Sequence, residues 1–417
     1  MNSVIQRYSE RILAVTVLCS IGPFFIWKDY LGGIGYIFYQ GLQILTLVIL
    51  VTLVFWRRTT SIKFYASMCM VLLFLFLSLF TGVVSGTYLP LLPGNISTFA
   101  LFSLFVVTDE EFLVGSFDSL KTILTVIFVY TIIIFLVVLL GVSIPSSIIE
   151  TGRTLISAQY YVNYLGCLFL DSGYGVRLDR FTSMFEEPGV VGTISAMVLV
   201  ASNFDLKSDK RNVVFLVSGL LSLSLAFICM TGLYFLINAF KRGLYKIAVF
   251  SLLVAVSYIV FINIDFESES ISELQTRVTL NDDSLERNSR IKQDAQDEYD
   301  DFLRGDALTL LFGYGRAFED RNTGETIWSR SASYRKIVYY FGVVGFGLYV
   351  LWMVVFPYAC YKTTDRNINY NLVVYILIFL ISVYQRPAVK SVHFLYFLLA
   401  GCAYTKRGGN NNTPRRM

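Results

Sequence analysis

The sequence predicts an all-α polytopic integral membrane protein with about twelve transmembrane helices and two large outer loops. Three observations carry that prediction. Of 417 residues, 55% are hydrophobic, 16% aromatic and only 15% charged, whereas a soluble domain has about a quarter of its residues charged. Mean hydropathy is +0.61. Runs without any charge, such as Ile123 to Gly141 (ILTVIFVYTIIIFLVVLLG), are long enough at about 1.5 Å per residue to cross a ~30 Å hydrocarbon core.

Measured against that length, spans are expected over 11 to 27, 33 to 56, 64 to 86, 94 to 108, 119 to 143 and 187 to 203, then 212 to 241, 244 to 263, 335 to 358, 368 to 384 and 389 to 404. The polar opening MNSVIQRYSER before an apolar run has the look of a signal peptide, but no small-residue cleavage pattern follows, so it reads as the entry to the first span. The stretch 212 to 241 is too long for one upright helix and fits either one tilted helix or two short ones.

Charge decides between them. Lys and Arg collect on the cytoplasmic side of short loops, here Arg57, Arg58 and Lys63, then Lys207, Lys210 and Arg211, then Lys241, Arg242 and Lys246, then Lys362 and Arg366, and finally Lys406, Arg407, Arg415 and Arg416. A single crossing at 212 to 241 would put these clusters on opposite sides. A hairpin of two short helices turning near Leu223 to Ala226 puts them all inside, which gives twelve spans, or eleven plus a re-entrant pair, with both termini cytoplasmic. The chain then divides into N-terminal helices (1–143), a first outer loop (144–186), central helices (187–263), a second outer loop (264–334), and C-terminal helices with a cytoplasmic tail (335–417).

The second outer loop holds sixteen acids, Asp265 through Glu325, against eight bases, as expected of a solvated loop on the side depleted in Lys and Arg. Of six cysteines, only Cys167 falls in an outer loop, so no disulfide framework is expected. No Cys/His spacing suited to a metal is present, and no nucleic-acid partner is expected. Asn95 opens an Asn-Ile-Ser sequon, a motif short enough to arise by chance.

The individual arginines carry more information. Arg153, Arg177 and Arg180 lie in the first outer loop, and Arg277, Arg287, Arg290, Arg304, Arg316, Arg321 and Arg330 in the second, with Arg335 opening the next span. Arginine's planar fork grips phosphate or carboxylate with two hydrogen bonds, so the pattern suits an anionic ligand held at the membrane surface. The turn YQRPAVKSVH adds Arg386 and Lys390 outside, against the topological bias; snorkelling from a helix end is the structural alternative.

The segment RFTSMFEEPGVVG, Arg180 to Gly192, stands directly before an apolar run. Its structural reading is a helix start, with Glu186 and Glu187 before a first-turn Pro188 satisfying free amides and meeting the positive dipole end. Gly189 and Gly192 would then permit close packing at the membrane entry.

These residues support a resemblance. RxxSxFxEPxxxG, followed about 120 residues later by LFGYG (Leu311 to Gly315) and then by SYRKIVYYFGVVGFGLYVL at a new span, resembles the O-antigen polymerase and ligase superfamily of bacterial integral-membrane glycosyltransferases. The likeness runs from about Arg180 to Leu351, with span count and two-loop topology matching over the whole chain. It implies an enzyme of the bacterial inner membrane, with its active site periplasmic and the two outer loops therefore periplasmic. The implied substrates are undecaprenyl-pyrophosphate-linked oligosaccharides as donor and acceptor, used without cofactor, metal or nucleotide sugar. A chain-length-regulating partner and inversion at the anomeric carbon are implied by the resemblance as well.

Within the superfamily, ligase-like members resemble HNxYL before the glycine-rich span, whereas this chain has Ser331, Ala332, Ser333, Tyr334 and Arg335 there, and its single histidine, His393, lies in the final span. A polymerase is therefore expected rather than a ligase. The motif match carries the superfamily's arginine onto Arg180. Fixed guanidinium groups would stabilise charge building on the leaving pyrophosphate, with Arg180 and Arg290 in catalytic roles and Glu187 orienting Arg180 or accepting the acceptor's proton. Arg177, Arg277, Arg287, Arg335, Arg386 and Lys390 are the expected substrate-binding set. The LFGYG glycines read as a turn closing the loop against the membrane more than as a phosphate cradle. A lipid-linked oligosaccharide flippase is the alternative from another class; it would carry charges inside its spans, and these spans are almost free of acids.

Overall fold

The computed structural model describes residues 3–21, 33–56, 104–106, 108–151, 159–171, 180–185, 187–242, 293–313, 335–385 and 392–408. The expected spans at 64 to 86 and 244 to 263, and most of 94 to 108, lie outside the described residues. The described chain is mostly helical. In order it forms α1 (Ser3–Ser20), α2 (Gly33–Trp56), α3 (Glu110–Leu139), strands β1 (Ser146–Thr151), β2 (Gln159–Tyr164) and β3 (Cys167–Asp171), α4 (Pro188–Ala201), α5 (Arg211–Leu221) and α6 (Leu225–Arg242). There follow α7 (Gln293–Leu303), α8 (Ala307–Phe312), α9 (Arg335–Val350), a π-helical turn (Leu351–Val355), α10 (Phe356–Tyr361), α11 (Arg366–Gln385) and α12 (Val392–Gly408).

Among the described residues, three helices are long and apolar enough to cross a membrane: Glu110–Leu139, Ile337–Tyr361 and Arg366–Val383. They correspond to the spans expected at 119 to 143, 335 to 358 and 368 to 384, so the protein is a helical membrane protein by length and composition. Two boundaries move for local reasons. Helix α1 begins at Ser3, because the polar stretch before the apolar run is itself helical and carries an i,i+4 bond from Gln6 to Glu10 (3.0 Å). Helix α4, expected over 187 to 203, is only 14 residues, about 21 Å at 1.5 Å per residue.

The stretch 212 to 241 divides into α5 and α6 with a turn at Ser222 to Ser224, two short helices as the charge pattern required. Leu223 has φ 45, which reverses the chain there. The all-α expectation did not contain the antiparallel three-stranded sheet β1-β2-β3, which lies in the segment expected as the first outer loop. Its strands are rich in β-branched and aromatic residues (SSIIET, QYYVNY, CLFLD), which favour a pleated surface.

The chain falls into two compact units, Met1–Thr46 with Val114–Leu285 and Arg407–Met417, and Leu47–Leu113 with Glu286–Lys406. In the first unit Phe128 of α3 is surrounded edge-on by Phe181, Phe185 and Phe215, with ring centroids 6.3, 6.3 and 5.5 Å away. All four rings are almost wholly buried; each such side chain contributes about 1.5–3 kcal/mol of burial. Phe169 of β3 stacks on Phe135 of α3 at 5.7 Å, fastening the sheet to that helix. Helix α4 packs on both α5 and α6. Gly192 makes the approach possible, because a Cβ there would overlap the Cβ of Ser224 and stand 2.7 Å from its Oγ.

An ionic cluster closes the other end of this bundle. Arg211 at the start of α5 bonds Asp209 through Nε (2.9 Å) and Nη2 (2.7 Å), and reaches Asp118 (2.7 Å) and Thr122 (2.7 Å) on α3. Lys121, fully buried, donates to Asp209 (2.9 Å) and Ser202 (2.9 Å). Burial opposes ionisation of Asp209, but the Arg211 and Lys121 bonds outweigh it and hold the carboxyl well below the usual carboxylate range.

In the second unit the described core is aromatic. Phe302 of α7 packs with Tyr339 and Tyr340 of α9, flanked by Tyr299, Leu310, Val338 and Phe341. Helix α9 kinks at Gly342 (φ 65, ψ −172), and Gly313 (φ 78) ends α8 against that kink. A Cβ on Gly313 would lie 2.6 Å from the Gly342 nitrogen, and one on Gly342 would overlap the Leu311 carbonyl. The two backbones touch, which only glycine permits. Farther along, Tyr375 of α11 donates to the Phe397 carbonyl of α12 (2.5 Å) over the space left by Gly401, and Lys406 pairs with Glu110 (2.7 Å).

Candidate functional site: the Arg180 segment

Residues 180–185 lie on the free edge of the sheet. The Leu168 amide donates to the Ser183 carbonyl (2.8 Å), and the Thr182 hydroxyl donates to the Leu168 carbonyl, so the segment extends the ladder past β3. From the other side Thr131 of α3 and Ser183 share a hydroxyl bond (2.8 Å), and the Phe181 amide donates to the Leu221 carbonyl at the end of α5 (3.1 Å). Sheet, long helix and hairpin turn thus all hold the same six residues.

Arg180 leads that segment and is half-buried. Its Nη2 donates to the carbonyl of Leu223 in the α5–α6 turn (3.3 Å), which commits one of five guanidinium donors to orientation. Backbone strain occurs here, as it also does at Asn203 (φ 50) and Phe204 (φ 52) after α4. Ser183 (φ 56) and Leu223 (φ 45) are both left-handed non-glycine residues, as is Leu165 (φ 51) in the β2–β3 turn. Each such conformation costs about 1–3 kcal/mol and persists only where surrounding contacts impose it, a pattern typical of functional sites.

Glu187 occupies the N-cap position of α4 with extended backbone, and Pro188 follows at the first helical position. The helix start therefore falls where the sequence placed it, but by a different means: the Glu187 side chain makes no capping hydrogen bond, and its carbonyl accepts from Val190 (3.0 Å). The carboxylate is exposed.

Arg335 belongs to the second unit. It opens α9 with its guanidinium 5.2 Å from the Tyr299 ring centroid, a cation–π contact. Burial raises the Tyr299 phenol above its ordinary value, against the lowering effect of Arg335, so the ring stays neutral under the cation. Gly313 of LFGYG ends α8 in a turn set against α9, and the rest of the motif, with Gly315, lies outside the described residues. His393 lies half-buried on α12 with its ring 5.1 Å from that of Phe394. Arg177, Arg277, Arg287, Arg290, Arg386 and Lys390 lie outside the described residues.

Sequence reasoning missed the groups that hold Arg180. The Leu223 carbonyl is a backbone atom 43 residues away, with no side-chain signature. Tyr299 was legible in part, since Tyr299 and Phe302 stand three apart on α7 and share one face.

The fold and site define the class at the level of a helical membrane protein with a clamped arginine at the mouth of a helix hairpin. In comparison with known proteins, no family model, curated protein or solved structure matches the chain.

Proposed function

We propose that the chain is a polysaccharide polymerase of the bacterial inner membrane. It transfers a growing undecaprenyl-pyrophosphate-linked glycan onto the non-reducing-end sugar of a lipid-linked repeat unit at the periplasmic face. The observation that carries the reading is the clamped Arg180: a guanidinium oriented by a backbone carbonyl, in a strained segment tied to three different elements, next to an apolar helix. A positioned cation of this kind stabilises the negative charge that accumulates on a departing pyrophosphate without reorganising at the moment of reaction. The order and spacing of the Arg180, LFGYG and α9 motifs support the same superfamily. In this reading Glu187 lies beside the arginine segment as orienting carboxylate or proton acceptor.

Replacing Arg180 by alanine tests it. The expected outcome is loss of long-chain polysaccharide, with a single repeat unit still attached to its acceptor lipid and protein levels intact; persistence of long chains refutes the catalytic role. Purified protein that extends a lipid-linked repeat unit in the presence of a chelator establishes activity, substrate and metal independence together. For orientation, a cysteine replacing Ser331 should react with an impermeant thiol reagent from outside and one replacing Ser208 should not.

A further inference from the structure

Beside the Arg180 segment the first unit contains a half-open cleft of about 560 Å³, between the sheet, the β2–β3 turn and Tyr130 of α3. Met184, four residues after Arg180, forms part of its wall. The volume lies within the ~300–1,000 Å³ range of small-ligand sites. None of the lining residues is charged, so the occupant is an uncharged group rather than the pyrophosphate. Hydrogen-bonding side chains converge on it: Tyr130, Ser146, Ser147 and Asn163. Asn163 is held in place by accepting from the Gly166 amide (2.7 Å) and donating to Ser147 (3.4 Å), and its carboxamide retains a second N–H.

The rim is strained as well. The turn between β2 and β3 is Leu165-Gly166 with φ 51 and 95, a conformation that suits Asn-Gly and penalises leucine. Leu165 is 52% exposed and lines the cleft, and its carbonyl is fixed by the Tyr130 hydroxyl (2.8 Å). A hydrocarbon chain in this cleft would offer no acceptor to the second Asn163 N–H, which opposes binding. A sugar hydroxyl would accept from that N–H while the apolar face of the sugar rested on Leu165 and Met184.

We infer that this cleft is a saccharide subsite that holds an uncharged sugar segment of the glycan whose pyrophosphate Arg180 receives. The identity of that glycan rests on the polymerase reading; the cleft's chemistry does not.

The test uses the full-length Leu165→Cys protein in lipid nanodiscs, with the rate of maleimide labelling at that cysteine read by peptide mass spectrometry. Cys167, fully buried, does not compete. Oligosaccharide released by mild acid from the glycolipids of the parent cells should slow labelling at least fivefold, and farnesol, a hydrocarbon probe, should not. Adding Ser147→Ala, which leaves the strand pairing in place, should raise the oligosaccharide concentration needed severalfold. An unchanged rate, or slowing by farnesol alone, overturns the subsite. Extension of lipid-linked repeats is measured on the same preparation. Extension without protection removes the cleft and leaves the polymerase, while protection without extension keeps the cleft and removes the polymerase.

Discussion

Gly192 offers the sharpest test of how the Arg180 site is built. It lies on α4, away from the guanidinium, yet a Cβ at this position would overlap the Ser224 Cβ and stand 2.7 Å from the Ser224 Oγ and 3.1 Å from the Phe227 Cβ. Comfortable carbon contacts begin near 3.5 Å. Rotation of the serine hydroxyl does not help, because the overlapping Ser224 Cβ is fixed to the backbone. Gly192→Ala must therefore push the α5–α6 turn away by about 1 Å. The bond from Arg180 to the neighbouring Leu223 carbonyl is already 3.3 Å, and an added ~1 Å breaks it. Overpacking of this kind costs about 1–3 kcal/mol of stability, and a 1 Å misplacement near a reacting group costs on the order of 10²-fold in rate.

The expected phenotype is therefore protein that inserts and purifies, unfolds at somewhat lower temperature, and makes little long-chain polysaccharide. Ser224→Gly in the same chain removes the overlapping Cβ and should restore much of the polymer. Normal chain length with an unshifted unfolding temperature in Gly192→Ala would falsify the clamp. A loss that Ser224→Gly does not relieve would assign the defect to something other than the turn's position.

Other consequences can be checked in parallel. Gly342→Ala places a Cβ into the Leu311 carbonyl at a backbone with φ 65, so thermal unfolding should show a loss of about 3 kcal/mol or more, and Gly313→Ala should behave alike. Lys121→Met removes the fully buried member of the cluster while Asp209 keeps its pair with Arg211; the lost charged hydrogen bond should cost about 1.5–3 kcal/mol, and thermal unfolding in detergent measures it. Asp209 has a depressed folded-state pKa, so its contribution is present above its unfolded value of about 3.9 and is lost as pH falls below it. Unfolding temperature should decline in that acid range in wild type, and Asp209→Asn should be less stable at neutral pH with a flatter acid decline.

Much of this architecture was legible because membrane helices obey coarse rules. Charge placement split the 212 to 241 run where the chain turns at Leu223, and length against hydropathy located the three long apolar helices. The sheet was not legible for an instructive reason. Its tightest turn is Leu-Gly rather than Asn-Gly, so the strongest hairpin signal is missing, and Leu165 takes its left-handed conformation from Tyr130 rather than from its own preference. Likewise Pro188 announced a helix start, while the expected carboxylate cap did not form. The contacts that orient Arg180 run to backbone atoms, and backbone carbonyls leave no trace in a sequence.

The brevity of α5 bears on energetics across the membrane. From Arg211 to Leu221 the helix rises only about 15 Å, and on α3 the same ~15 Å separates Lys121 from Thr131, which bonds the Arg180 segment. On the proposed orientation, with the basic loops inside, that ~15 Å separation of the ionic cluster from the arginine segment equals about half of a ~30 Å hydrocarbon core. An anion reaching Arg180 from outside then enters part of the transmembrane field. At about 2.3 kcal/mol per charge per 100 mV for a full crossing, half that depth costs about 1 kcal/mol per charge. On the proposed function and orientation, the membrane potential opposes entry of the donor's pyrophosphate and favours withdrawal of the undecaprenyl pyrophosphate head group toward the outer surface, and dissipating it should alter turnover in reconstituted vesicles.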